Sequence, residues 1–157
     1  MTKFHYIVAT FFYCGYFPKA PGTFTSFVTA IIAYFLFMLW GIAPVYLFFL
    51  FSVLFGFLSS GKVAGKENTK DPSIVVIDEV AGQLVPLLFL GNYSFSPLFT
   101  AVVSFVLFRF FDILKPFPVN KMENIKGGSG IMLDDIVAGI MATLIVLLIS
   151  FLTGTVK

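Results

Sequence analysis

Five stretches of this chain, residues 24–40, 45–60, 73–90, 97–114 and 135–156, run for 16 to 22 residues on largely apolar side chains. About 20 such residues match the roughly 30 Å hydrocarbon core of a bilayer, and somewhat fewer suffice when the ends lie in the interface. Inside that core the backbone has no water to bond with, so each stretch must close its own hydrogen bonds as a helix. Composition points the same way: 59% of residues are hydrophobic and 11% charged, too little polar surface to cover a water-soluble globule. The expected fold is all-α, a polytopic helical membrane protein with about five transmembrane helices, organised as a single domain over residues 1–157.

The N-terminal segment reads differently. Its first seventeen residues are rich in Phe and Tyr, with Lys3 and His5, and no small-residue cleavage site follows a basic start. An interfacial or re-entrant helix is expected there, not a removable signal peptide. Lys19 precedes the first span, Lys62, Lys66 and Lys70 lie between the second and third, and Arg109, Lys115, Lys121 and Lys126 surround the fourth connection; only Lys157 lies opposite. The other two connections, residues 41–44 and 91–96, carry no charge, and Trp40, Tyr46 and Tyr93 stand where an outer aromatic belt would lie. Because Lys and Arg concentrate on the cytoplasmic side, the N-terminus is expected to be cytoplasmic. A net charge of only +2 gives no reason to expect a nucleic-acid partner, and the lone Cys14 cannot form an internal disulfide.

The carboxylates are the exception that needs a purpose. Five of the eight, in the doublets Asp78-Glu79 and Asp134-Asp135 and at Asp112, sit in or at the mouths of apolar runs. A charge at helix-centre depth costs about 3 kcal/mol even on the lenient insertion scale, so such acids usually line a polar interior and act in chemistry or transport. With the basic-residue topology above, three polar motifs fall on the same membrane face.

The first motif, Gly15-Tyr16-Phe17-Pro18-Lys19-Ala20-Pro21-Gly22-Thr23-Phe24-Thr25-Ser26, is a turn-rich approach to the first span, with Thr23 or Thr25 as a candidate N-cap. Free amides at that helix start, with Lys19 and the hydroxyls of Thr23 and Ser26, suit a phosphate; a plain cap and turn would explain the pattern equally. The second runs from Asp71 to Gln83, and on a helix Glu79 shares a face with Gly82, where the missing side chain lets a neighbouring backbone approach. In the third, Arg109, Asp112 and Lys115 repeat every three residues along one helical side before Pro116 and Pro118 end the helix. An Arg109–Asp112 ion pair fits that spacing, yet the planar fork of the only arginine also suits bidentate recognition of phosphate. The run Gly127-Gly128-Ser129-Gly130 is either a phosphate-cradling nest or a hinge.

Ile77-Asp78-Glu79-Val80-Ala81-Gly82 is echoed by Leu133-Asp134-Asp135-Ile136-Val137-Ala138-Gly139: two acids, aliphatics, then glycine one turn on. Opposed carboxylates on neighbouring helices repel unless a cation or a proton intervenes. Oxygen-only donors point to a hard divalent ion, Mg²⁺ before others. Metal, carboxylates and cations at a membrane face describe hydrolysis of a phosphorylated lipid. A Cys-x₅-Arg thiol route is excluded, because Ala20 stands six residues after Cys14. The competing class is a small ion-coupled transporter or channel, which would need acids deeper in the membrane and a continuous polar path.

Across residues 15–26, 71–82 and 109–139 the chain resembles the phosphatidylglycerophosphatase A enzymes of bacterial phospholipid synthesis, in motif order and spacing. The resemblance implies Mg²⁺-dependent hydrolysis of phosphatidylglycerophosphate to phosphatidylglycerol and inorganic phosphate at the inner leaflet of the bacterial cytoplasmic membrane. Carried over by motif, Asp71, Asp78, Glu79, Asp112, Asp134 and Asp135 form the acidic site, with Lys19, Arg109 and Lys115 as phosphate-facing cations. Within that set, Glu79 and Asp135 are the first candidates for metal ligands because each shares a helical face with a glycine, followed by Asp78 and Asp134. Asp78 is alternatively a general base towards water.

Overall fold

The computed structural model describes residues 2–93, 95–122, 125 and 127–153. Lys126 and Lys157, both used above to argue topology, lie outside the described residues. The elements are α1 (Thr2–Ala9), α2 (Pro21–Trp40), α3 (Ala43–Glu67), α4 (Ile77–Leu87), α5 (Pro97–Leu114), α6 (Val119–Met122) and α7 (Gly128–Leu152), with a 3₁₀ turn at Cys14–Tyr16.

Four of these, α2, α3, α5 and α7, are long and apolar enough to cross a membrane. Each buries only 22–39% of its most apolar window inside the protein, and the remainder presents side chains such as Phe35, Leu47, Val102 and Leu144 outward. Patches of that extent call for hydrocarbon rather than water. The ends follow local chemistry. Gly41 takes a positive φ of 78° to stop α2, Ser96 caps α5 by accepting from the Phe99 amide at 3.3 Å, and Pro97 opens that helix where a missing N–H costs nothing.

The third expected span is corrected. Residues 73–90 do not form a lipid-facing helix; they supply the 11-residue α4, about 16 Å long at 1.5 Å per residue, roughly half the hydrocarbon thickness. Ten of its eleven residues are buried, with α2, α3, α5 and α7 packed around it. Its apolar run therefore reflects a protein core, and hydropathy does not separate the two environments. On the approach to α4, Val75 and Val76 are buried as well.

Lipid tails are as apolar as leucine, so burial against hydrocarbon does not drive these helices together; close backbone packing must do so. A side chain at Gly82 of α4 would come within 2.5 Å of the Asp135 carbonyl oxygen and 2.6 Å of the Phe108 ring. Reciprocally, Gly139 of α7 packs against the Gly82 carbonyl, and Gly128 at the start of α7 lies against the Gly61 amide of α3. Gly127-Gly128-Ser129-Gly130 is thus the entry to α7 and a helix contact.

The short α1 lies against the end of α3. Phe4 meets Phe55 edge-on, Tyr6 donates to Glu67, and His5 sits between Ser59 and Lys62 at 3.1 Å from each. An ammonium can only donate, so Lys62 binds His5 Nε2 and leaves the Nδ1 proton for Ser59. Burial and then the Lys62 charge hold the imidazole below its ordinary pKa, consistent with that neutral form. The Val76 amide donates to the Ala9 carbonyl at 2.8 Å, tying this segment to the approach to α4. At the opposite end, Trp40 and Tyr46 are exposed as expected of a belt, but Tyr93 is not: it is buried and donates to the Pro86 carbonyl at 3.3 Å.

Candidate active site

The starts of α2, α4 and α7 and the end of α5 meet around one cleft of about 250 Å³. Asp71, Asp78, Glu79, Asp112, Asp134, Asp135, Thr23, Arg109 and Lys115 all line it. Ala20, Pro21, Gly22, Ser73 and Val75 complete the wall.

At its base, Asp78, Glu79 and Asp135 each bring a carboxylate oxygen within 4.8 Å of the others. Three full charges at that separation repel by about 3 kcal/mol per pair at an effective dielectric of 20. Asp78 Oδ1, Glu79 Oε2 and Asp135 Oδ2 are buried and have no hydrogen-bond partner among the described residues. Buried carboxylate oxygens without donors are what a hard cation's ligands look like when protein atoms alone are considered. The triad therefore fits a metal ion.

The doublets behave unequally. Both members of Asp78-Glu79 join the triad, whereas in the second doublet only Asp135 does. Asp134 is turned towards Lys115, whose ammonium donates to Oδ2 at 2.9 Å, and its Oδ1 accepts from the Asp135 amide at 3.1 Å. On α5, Arg109 pairs with Asp112 at 2.6 Å, so the ion pair that the spacing allowed is formed, with both side chains at the cleft wall. The Arg109 guanidinium also reaches Ser26 Oγ at 3.5 Å, and its Nε is buried without a partner among the described residues.

The first motif contributes less through its side chains than through its backbone. α2 begins at Pro21, earlier than a Thr23 or Thr25 cap would place it; its N-cap is Ala20, in a left-handed conformation with φ 49°. First-turn amides of Gly22 and Thr23 therefore belong to a helix N-terminus at the cleft, the positive end of its dipole. Lys19 is exposed and is not among the cleft-lining residues, while Ser26 is buried behind the wall and donates to the Gly22 carbonyl at 2.8 Å.

Two features escaped the sequence reading. Gly22 is the seat of the Glu79 carboxylate, which occupies the space a side chain there would fill. Gln83, one turn below Glu79, is fully buried with both amide atoms unpartnered among the described residues. A lone amide four residues after an acid, in an apolar run, was the available signal.

The family model described as phosphatidylglycerophosphatase A matches residues 7–150. A Bacteroides thetaiotaomicron protein named as a phosphatidylinositol-3-phosphatase is 36% identical over 155 residues, covering 94% of each chain. Phosphatidylglycerophosphatase A of Haemophilus influenzae is 33% identical, covering 93% of this chain and 88% of its own. The Escherichia coli enzyme of that name is 30% identical, over 87% of this chain and 78% of its own. No solved structure matches at a significant level. With span-length helices around a metal-competent acidic cleft and this similarity over almost its whole length, the chain belongs to the phosphatidylglycerophosphatase A family of lipid phosphatases.

Proposed function

We propose that the chain, acting as one integral-membrane domain, hydrolyses the phosphomonoester of phosphatidylglycerophosphate to phosphatidylglycerol and inorganic phosphate, with Mg²⁺, at the cytoplasmic face of a bacterial inner membrane. The observation that carries this reading is the convergence of a carboxylate triad, two cations and a helix N-terminus on one cleft. The cytoplasmic assignment rests on charge: the loops and helix ends around the cleft carry Lys19, Lys62, Lys66, Lys70, Lys115 and Lys121, and the opposite connections carry none.

Glu79 and Asp135 would hold the metal, which when bound polarises the phosphoryl group and eases deprotonation of water, and Asp78 beside them is left as the base. Arg109 and Lys115 face the non-bridging phosphate oxygens, as do the α2 amides, and their charge is largest where the transition state needs it. Asp78 takes a proton from the attacking water. The water oxygen bonds to phosphorus, the phosphorus–oxygen bond to the glycerol breaks, and the departing alkoxide receives the proton. Asp112 and Asp134 hold Arg109 and Lys115 in place between turnovers, and Asp71 stands at the mouth.

A second substrate has a specific argument, since the relative at 36% identity is named for phosphatidylinositol-3-phosphate. Phosphate release from each lipid in detergent micelles, with Mg²⁺ and with chelator, tests both. Mg²⁺-dependent release from phosphatidylglycerophosphate at least tenfold faster than from the inositide is expected; the reverse preference reassigns the substrate, and release unaffected by chelator removes the metal.

A further inference from the structure

We propose that the apolar groove between α2 and α5 holds an acyl chain of the lipid substrate while its phosphate occupies the acidic cleft; this rests on the lipid-phosphatase reading above. The groove has a volume of about 510 Å³ and is lined by aliphatic and aromatic side chains. Ala30 and Ala101 form its floor, where small side chains leave the space, and Phe27, Tyr34, Phe105 and Val106 stand along it.

Its position selects the occupant. Phe27 follows Thr23 by four residues and Val106 precedes Arg109 by three, and Thr23 and Arg109 both line the cleft. At 1.5 Å per residue the groove therefore starts about 5 Å from the cleft wall and extends about 12 Å along both helices. Phe27 and Phe105 meet edge-on at 5.9 Å within it. One pair of helices thus carries phosphate-facing groups at one end and a chain-shaped apolar trough, open towards hydrocarbon, directly beyond them. A molecule with a phosphate head and an alkyl tail satisfies both at once. A second copy of the protein or bulk lipid would fill the trough without using its continuity with the cleft.

Two measurements test this. The first compares kcat/KM for dipalmitoyl and dihexanoyl phosphatidylglycerophosphate in wild type, Ala101→Phe, Val102→Trp and the control Leu144→Phe on the outer face of α7. Both groove variants should lower kcat/KM for the long-chain lipid about tenfold, leave the short-chain value within about twofold, and the control should change neither. Equal losses on both lipids, or no loss on either, overturn the proposal. The second uses a lipid of the same head group with a mid-chain diazirine and needs no turnover: labelling should concentrate at α2 and α5 and be competed by unlabelled lipid. Labelling spread evenly over α3 and α7 overturns the groove even if the enzyme is active, and so does a wild-type dimer that Val102→Trp dissociates without altering chain preference. Specific labelling without phosphate release would instead keep the groove and remove the proposed reaction.

Discussion

Asp78-Glu79 on α4 and Asp134-Asp135 on α7 are near copies in sequence, and the fold treats them differently. α4 is enclosed by helices, so both of its acids stay inside and both enter the triad. α7 has one face on α4 and another on α5, which gives its two acids different neighbours: Asp135 meets Glu79 and Asp78, while Asp134 meets Lys115. Adjacent helical residues project about 100° apart, so on a helix packed against several others a doublet can serve two partners. Gly82 and Gly139, one turn beyond the acids, bring the α4 and α7 backbones together at this level.

That asymmetry is open to direct tests. Glu79→Gln, Asp78→Asn and Asp135→Asn should each lower phosphate release about 100-fold or more, beyond the loss usual for an outer-shell partner. The matching loss for Asp134→Asn should be visibly smaller; equal losses at Asp134 and Asp135 would break the comparison. Next in size, Gly82→Leu should force α4 from α7, costing about 3 kcal/mol or more in detergent stability as well as activity, read by thermal melting beside turnover. A Gly82→Leu protein with normal melting and activity would mean the contact does not set the register.

Lys115→Met leaves Asp134 without its cation and should cost about 1–3 kcal/mol of stability, part of it recovered in Lys115→Met/Asp134→Leu; strict additivity in that double-mutant cycle would remove the pair as a functional unit. Ser26→Ala, which deletes a long 3.5 Å bond to Arg109, should reduce kcat/KM only a few-fold, at most about 1 kcal/mol. Smallest of all, Lys19→Ala should stay within about twofold, the usual range for an exposed position, and a large loss would bring the residue into the cleft when substrate binds.

Much of this was legible in the chain. Acids that cost free energy in an apolar run announced the site, and the three-residue spacing of Arg109, Asp112 and Lys115 announced their shared wall. The misread places have a common cause. Residues 73–90 looked like a span because hydropathy averages over every side of a segment and cannot tell lipid from protein core. Tyr93 looked like a belt residue because its burial depends on its hydroxyl reaching the Pro86 carbonyl in the last turn of α4, a contact made only in the folded chain. For Lys19, which is exposed and outside the cleft lining, the charge type was visible in the chain and the direction of the side chain was not.

From its sequence alone this protein was bound to be helical and to live in a bilayer, with carboxylates and cations drawn to one end, since those outcomes depend on local composition and on what a backbone needs in hydrocarbon. Which acids cluster together, which carboxylate is held by a lysine, that Gly22 seats Glu79, and that α2 and α5 leave a trough beside the cleft all depend on contacts between residues far apart in the chain. Those contacts come from how helices pack against one another, with glycines at the closest α2–α4, α4–α7 and α3–α7 approaches, a three-dimensional fit that no one segment encodes by itself.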